Sequence, residues 1–189
     1  GRCFKRSNFI CMPLDSFYCA LSEYELFWSS KYPSSQETVE KFRLLLEASG
    51  CFSRDCFPGH ITASALVIDP SREKTLLAHH AKLDKWLQLG GHCDGISDPH
   101  GTALREIKEE SGLKQVNDIF WRNASETPIL DLDIHFIPAR KSEPDHFHYD
   151  VRYLFGAKDP ESIQCSDESH DLKWLTFAEA RRFNPEISL

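Results

Sequence analysis

Asp98-Pro99 and Gly112 bracket the strongest structural signal in the chain, a helix with a marked start and a marked stop. The Asp carboxylate can take N–H groups of the first turn, and Pro has no N–H to lose there. A glycine at the far end supplies the left-handed residue that ends a helix. Between them run Arg105, Glu106, Lys108, Glu109 and Glu110. At ~100° per residue, Glu109 falls near −60° and Glu110 near +40° from Glu106, so the acids share an arc of roughly 100°. Ala103, Leu104, Ile107 and Ser111 take the adjoining arc, which puts the acids at the border of the face to be buried. Like charges at this spacing repel. A hard divalent cation, Mg²⁺ or Mn²⁺, would offset them, and oxygen donors at this density suit it. The plain structural alternative is a solvated acidic face balanced by Arg105 and Lys108.

The surroundings of the helix define a layered domain. Residues 61–69, 75–80, 86–89, 116–122, 129–137, 146–155 and 172–175 read as extended runs, and 177–183 as a short helix. Gly90-Gly91 is expected as a turn closing the third run, with a carbonyl free to join a cation. Upstream, Phe17, Leu21, Tyr24 and Phe27 or Trp28 recur at helical spacing within 14–28. Val39, Phe42, Leu45 and Leu46 do so in a second helix over 38–48 that can start near Ser35. Strands before and after one central helix predict an α/β or α+β fold with a mixed sheet. Residues 1–56 read as an N-terminal helical extension and 57–189 as the main domain.

Charge and cysteine usage narrow the function classes. Lys and Arg total 22 against 29 acids, a net charge of −7. That argues against gripping long nucleic acid, which needs concentrated cations. An acidic chain that binds a phosphorylated small molecule needs a cation in between. The cysteines number 7, an odd count without a Cys-x-x-Cys pair, so reduced thiols in a cytoplasm are expected. No apolar run approaches the ~20 residues that span a bilayer, and segment 1–9 lacks a signal-peptide core. A cytoplasmic protein without a membrane partner is the expectation.

Residues 91–113 resemble the Nudix box. Gly91 matches its first glycine, and Arg105-Glu106-Ile107-Lys108-Glu109-Glu110-Ser111-Gly112-Leu113 matches its entire second half. The strand order from about His60 onward also resembles a Nudix domain. The stretch 90–95, GGHCDG, is similar to bacterial Nudix hydrolases that carry a helical N-terminal extension. The resemblance implies a Nudix-like α/β/α sandwich and a metal-dependent hydrolase. Its substrate would be a small nucleotide-type molecule, a nucleoside diphosphate linked to another moiety, cleaved at the pyrophosphate bond. By position, Glu106, Glu109 and Glu110 would be ligands of Mg²⁺ or Mn²⁺, joined by the carbonyl of Gly90 or Gly91. Arg105 would orient a glutamate, completing a catalytic set of Glu109, Glu110, Glu106 and Arg105. Ser97 stands where the box has its first Glu. Asp94 or Asp98 can replace that acid, although Asp98 is more simply the helix cap. The contrasting expectation is a catalytically impaired domain that binds or senses nucleotide.

Outside the box, His146, His148 and Asp150 alternate and so share one strand face. Three readings stand: a substrate-binding wall through His148 and Asp150, an independent transition-metal site, or a polar face of an edge strand. His92, beside the glycine pair, is expected to face the substrate. An accessory acid is sought among Glu143, Asp150, Asp167 and Glu168, with Glu168 preferred for its place just before the 172–175 run. Cys93 is expected to be a small filler.

Overall fold

The computed structural model describes residues 13–140 and 143–185; Cys3, Cys11 and segment 1–9 lie outside them. The chain opens with α1 (Pro13–Trp28) and α2 (Ser34–Leu46), followed by β1 (Gly59–Ile68), β2 (Lys74–His80), β3 (Lys85–Leu87) and β4 (Leu89–His92). Then come α3 (Pro99–Ser111), β5 (Val116–Asp118), β6 (Ile129–Ile137) and β7 (His146–Ala157). A 3₁₀ turn (Pro160–Ser162), β8 (Ser169–Thr176) and α4 (Phe177–Phe183) complete it. The strands form one mixed sheet, so the fold is α+β. Among the described residues no helix is long and apolar enough to cross a membrane.

β1 is the centre of the sheet, buried from end to end. It runs parallel to β7 from Gly59↔Phe147 to Ile68↔Gly156, and antiparallel to β4 and β2. Its residues alternate, which gives the sheet two unlike faces. Ile61, Ala63, Ala65 and Val67 are fully buried on the apolar one. Their register partners on β7 are Tyr149, Val151, Tyr153 and Phe155. Helices α1, α2 and α3 cover this face, whereas α4 packs through Ala180 on Leu77 and Leu175 in a separate cluster. Phe42 of α2 meets Tyr149 edge-on at 5.3 Å, and His100 of α3 stacks on Phe155 at 5.6 Å. Burying a side chain such as Phe42 contributes roughly 1.5–3 kcal/mol. Phe17 and Leu21 of α1 join the same core, and Glu23 of α1 accepts hydrogen bonds from the Ser125 N–H and hydroxyl ahead of β6.

α3 forms for the reasons its ends announce. Asp98 accepts a hydrogen bond from the Gly101 N–H at 2.9 Å, Pro99 takes the first position, and Gly112 adopts φ +69°. A Cβ at Gly112 would also lie 3.2 Å from Gln164.

Gly90 and Gly91 do not make the expected turn. The extended run 86–89 breaks instead between β3 and β4, and both glycines lie inside β4, in register with Ser64 and Ala63 of β1. The reason is close approach. A Cβ on Gly90 would sit 2.5 Å from the Ala63 carbonyl oxygen and 2.7 Å from Ser64 Cα. Because those are main-chain atoms, Gly90→Ala forces β4 away from β1. We expect it to lower unfolding free energy by about 2 kcal/mol in urea titrations; an unchanged midpoint would contradict this packing. The run expected over 116–122 is also shorter, pairing with β7 only as far as Asp118.

Candidate active site

The acids of α3 sit at three depths. Glu110 is buried, Glu106 half-buried and Glu109 exposed. Glu110 Oε2 accepts the Gly90 N–H at 2.8 Å, which ties α3 to β4. Burial pushes the Glu110 carboxyl up to about 7; the Gly90 hydrogen bond opposes this, and the charges of Glu106, Glu168 and Glu109 add to it. Glu106 accepts from Arg105 Nη2 at 2.6 Å, yet burial outweighs that guanidinium and raises its carboxyl too. Arg105 is shared: Nη2 also donates to the His92 carbonyl at 2.7 Å, and Nε lies 3.7 Å from Glu109.

Gly91 lies against the Glu106 carboxylate, so closely that a Cβ there would meet it at 2.8 Å. Glu168 is exposed in the turn ahead of β8, where its carbonyl accepts the Ala81 N–H at 2.9 Å. Its charge raises both Glu106 and Glu110. Four carboxylates thus influence one another around one guanidinium, with only oxygen donors between them. That donor set fits a hard divalent cation.

The acid missing at Ser97 has a neighbour in place. Asp94 lies 2.7 Å from Arg54 and 3.9 Å from Arg105, and the Arg54 guanidinium holds its carboxyl below the usual range. Asp98 is committed to the α3 cap.

The second face of the sheet is polar. Register places His60, Thr62 and Ser64 of β1 beside His148, Asp150 and Arg152 of β7. On the far side of β7 follow His135, Asp133 and Asp131 of β6. His92 of β4 stands opposite Thr62. Asp150 departs from the expected substrate wall and from the expected His/His/Asp cluster. It is 6% exposed, and its carboxylate accepts hydrogen bonds from the Thr62 and Ser64 hydroxyls. His60 takes its place: His60, His146 and His148 bring ring nitrogens within 4.8 Å of one another. Burial first, then the surrounding imidazoles, press the His148 ring down to about 2. Burial likewise lowers His92 to about 4, with Arg54 and His60 adding to it. These rings are neutral at pH 7.

Sequence reading missed His60, Thr62, Ser64, Asp133 and His135. Their signal was alternation in 60–64 and 131–135, hidden because 61–69 reads as one apolar run. Cys93 is fully buried and its thiol is pushed up to about 12, as suits a filler.

Comparison with known proteins gives the family. The NUDIX domain matches residues 58–188. A curated protein of Lactococcus lactis subsp. cremoris (strain MG1363) named "Probable DHNTP pyrophosphohydrolase" is 28% identical over 130 residues, covering 68% of this chain and 74% of that protein. Among solved structures, the C. elegans Ap4A hydrolase binary complex has a TM-score of 0.45 at 18% identity, covering 66% of this chain and 85% of its own. The E. coli dihydroneopterin triphosphate pyrophosphohydrolase has a TM-score of 0.47 at 13% identity, covering 65% and 84%. Because the NUDIX match spans more than half of the sequence and takes in the whole acidic helix, the chain belongs to the Nudix family.

Proposed function

We propose that this chain is a divalent-metal-dependent Nudix pyrophosphohydrolase that cleaves a nucleoside diphosphate linked to another moiety. One observation carries the reading: Glu110 is a buried carboxylate, fixed by a main-chain N–H and crowded by three other acids. Such a group must either take up a proton or share its charge with a cation. Glu106, Glu109 and Glu110, with the Gly91 carbonyl, would hold Mg²⁺ or Mn²⁺. When bound, that ion offsets phosphate charge and makes water a better nucleophile.

The chain's own residues do the rest. Arg105 grips Glu106 and the His92 carbonyl, which fixes the rotamer of the acid and the position of β4. Gly90 holds Glu110 in place. Glu168, whose charge reaches Glu106 and Glu110, is the proposed accessory acid and would accept a proton from the attacking water. Half-buried His92 is the proposed substrate contact. Asp94 supplies Arg105 with the acidic neighbour that Ser97 does not. Residues 1–56 act as a helical extension of the 57–189 domain. The proposed setting is a cytoplasm, which keeps thiols such as Cys51 and Cys165 reduced.

A substrate panel read by chromatography of the products, nucleoside monophosphate with a phosphorylated moiety or with pyrophosphate, tests the reading. It should include nucleoside-diphosphate-linked compounds, nucleoside triphosphates and dihydroneopterin triphosphate, each with Mg²⁺, Mn²⁺ or EDTA. Turnover of at least one compound is expected with metal and none in EDTA. Nucleotide binding without turnover would favour the sensing domain. Within the same assay, Asp94→Asn should slow turnover about tenfold, and Ser97→Glu should change it less than about threefold, an order smaller than loss of a direct contact. A large gain from Ser97→Glu would mean that the absent acid limits the rate and Asp94 does not stand in for it.

A further inference from the structure

The polar face of the sheet holds a second arrangement of donors, of different chemistry. Parallel pairing sets His60 level with His148, and the pleat puts His146 on the same face two residues earlier. Hydrogen bonds determine which ring nitrogens stay free. A carbonyl oxygen only accepts, so His60 Nδ1–H donates to Cys56 at 3.3 Å and His146 Nδ1–H donates to Pro144 at 2.9 Å. With Nδ1 carrying the proton, Nε2 is the nitrogen of each ring left to accept a hydrogen bond or bind a cation. His60 Nε2 is buried with no hydrogen-bond partner. His146 Nε2 accepts a hydrogen bond from His148 Nε2–H at 3.2 Å, and a shift of that proton to Nδ1 frees both Nε2 atoms for a cation. An unsatisfied buried acceptor at His60 Nε2 destabilises the fold. A cation between the three rings removes that penalty. Donation of the second ring N–H to a main-chain carbonyl is also what orients histidines that bind metal.

We propose that His60, His146 and His148 hold a transition-metal ion of the Zn²⁺ class through their Nε2 atoms, at a site separate from the α3 carboxylates. Nitrogen donors select such ions over Mg²⁺. Tetrahedral Zn²⁺ with bonds of about 2.0–2.1 Å spaces its ligand atoms about 3.3 Å apart. The His146–His148 pair already has that spacing, and the ring nitrogens of all three lie within 4.8 Å of one another. The remaining position opens on a cavity of about 140 Å³ whose wall includes Arg54, His92 and Glu143. Glu143 supplies negative charge toward the cation, and a water or an anionic group can complete the coordination. His148 thereby becomes a ligand and leaves the substrate wall. The site does not depend on the pyrophosphohydrolase reading.

The test uses tag-free full chain stripped with chelator and titrated with Co²⁺ or Zn²⁺ in excess Mg²⁺. One equivalent of Co²⁺ should bind and produce a visible d–d band, which Zn²⁺ then abolishes. His146→Ala and His148→Gln should each weaken Zn²⁺ binding at least ~100-fold, the upper end of what loss of an outer-shell partner costs. Glu109→Gln should leave the band unchanged. No band in the wild-type chain would overturn the proposal, as would a band that survives both histidine variants or disappears in Glu109→Gln. His148→Gln should unfold at the wild-type urea midpoint when both are metal-free, which separates loss of a ligand from loss of the fold.

Discussion

Glu109→Gln is expected to lower kcat about a thousandfold in saturating Mg²⁺ while leaving the metal-free protein, measured in EDTA, as stable as before. The rate effect corresponds to about 4 kcal/mol of lost charge stabilisation on the phosphoryl oxygens. The unchanged stability follows from position. The side chain is 62% exposed and its nearest cation, Arg105 Nε, is 3.7 Å away. An ion pair that open is worth ~0–1 kcal/mol, and Arg105 keeps its stronger bonds to Glu106 and the His92 carbonyl. Steady-state kinetics and urea unfolding on one preparation check both halves. Wild-type turnover in the Gln variant would sink the assignment of α3 as the metal-binding helix.

Glu110→Gln should separate stability from pH in the absence of metal. The Glu110 carboxyl rises from an ordinary 4.5 to about 7 in the folded chain. A raised pKa means that the folded state favours the protonated acid. That contribution is complete below about pH 4.5 and is lost as pH rises through about 7. At ~1.36 kcal/mol per unit, the loss reaches about 3 kcal/mol by pH 8. Glutamine cannot ionise, so in EDTA the variant should gain about 3 kcal/mol on the wild type between pH 4 and pH 8. Lowered His60, His92 and His148 give a slope of the opposite sign below pH 6.5, but both proteins carry it and it cancels. Adding Mg²⁺ at pH 8 should restore the wild type and leave the variant unmoved. Parallel pH profiles for the two proteins would show that Glu110 is not under electrostatic stress.

α3 was legible in the sequence because its information is local. Asp98, Pro99 and Gly112 define the helix within one short window, and the spacing of Glu106, Glu109 and Glu110 places them without knowledge of anything else. The glycine pair was misjudged for a related reason: glycine tolerates a turn and also tolerates close contact, and only the β1 backbone decides between them. The polar face was half legible. Alternation put His146, His148 and Asp150 together, yet their fates depend on β1, far away in the chain. Thr62 and Ser64 claim Asp150, and His60 joins the histidines. Parallel register has no local signature, so nothing near residue 60 announces residue 148 as its neighbour.

The hold on Glu110 has an evolutionary consequence. Its donor is the amide of Gly90, a part of the polymer common to every residue but proline. Most substitutions that erode an active site delete a side chain, and there is none here to delete. Drift at position 90 is instead policed by crowding from the adjacent strand, which rejects bulk before it can disturb the acid. Selection for a well-packed sheet therefore preserves a chemical feature as a by-product.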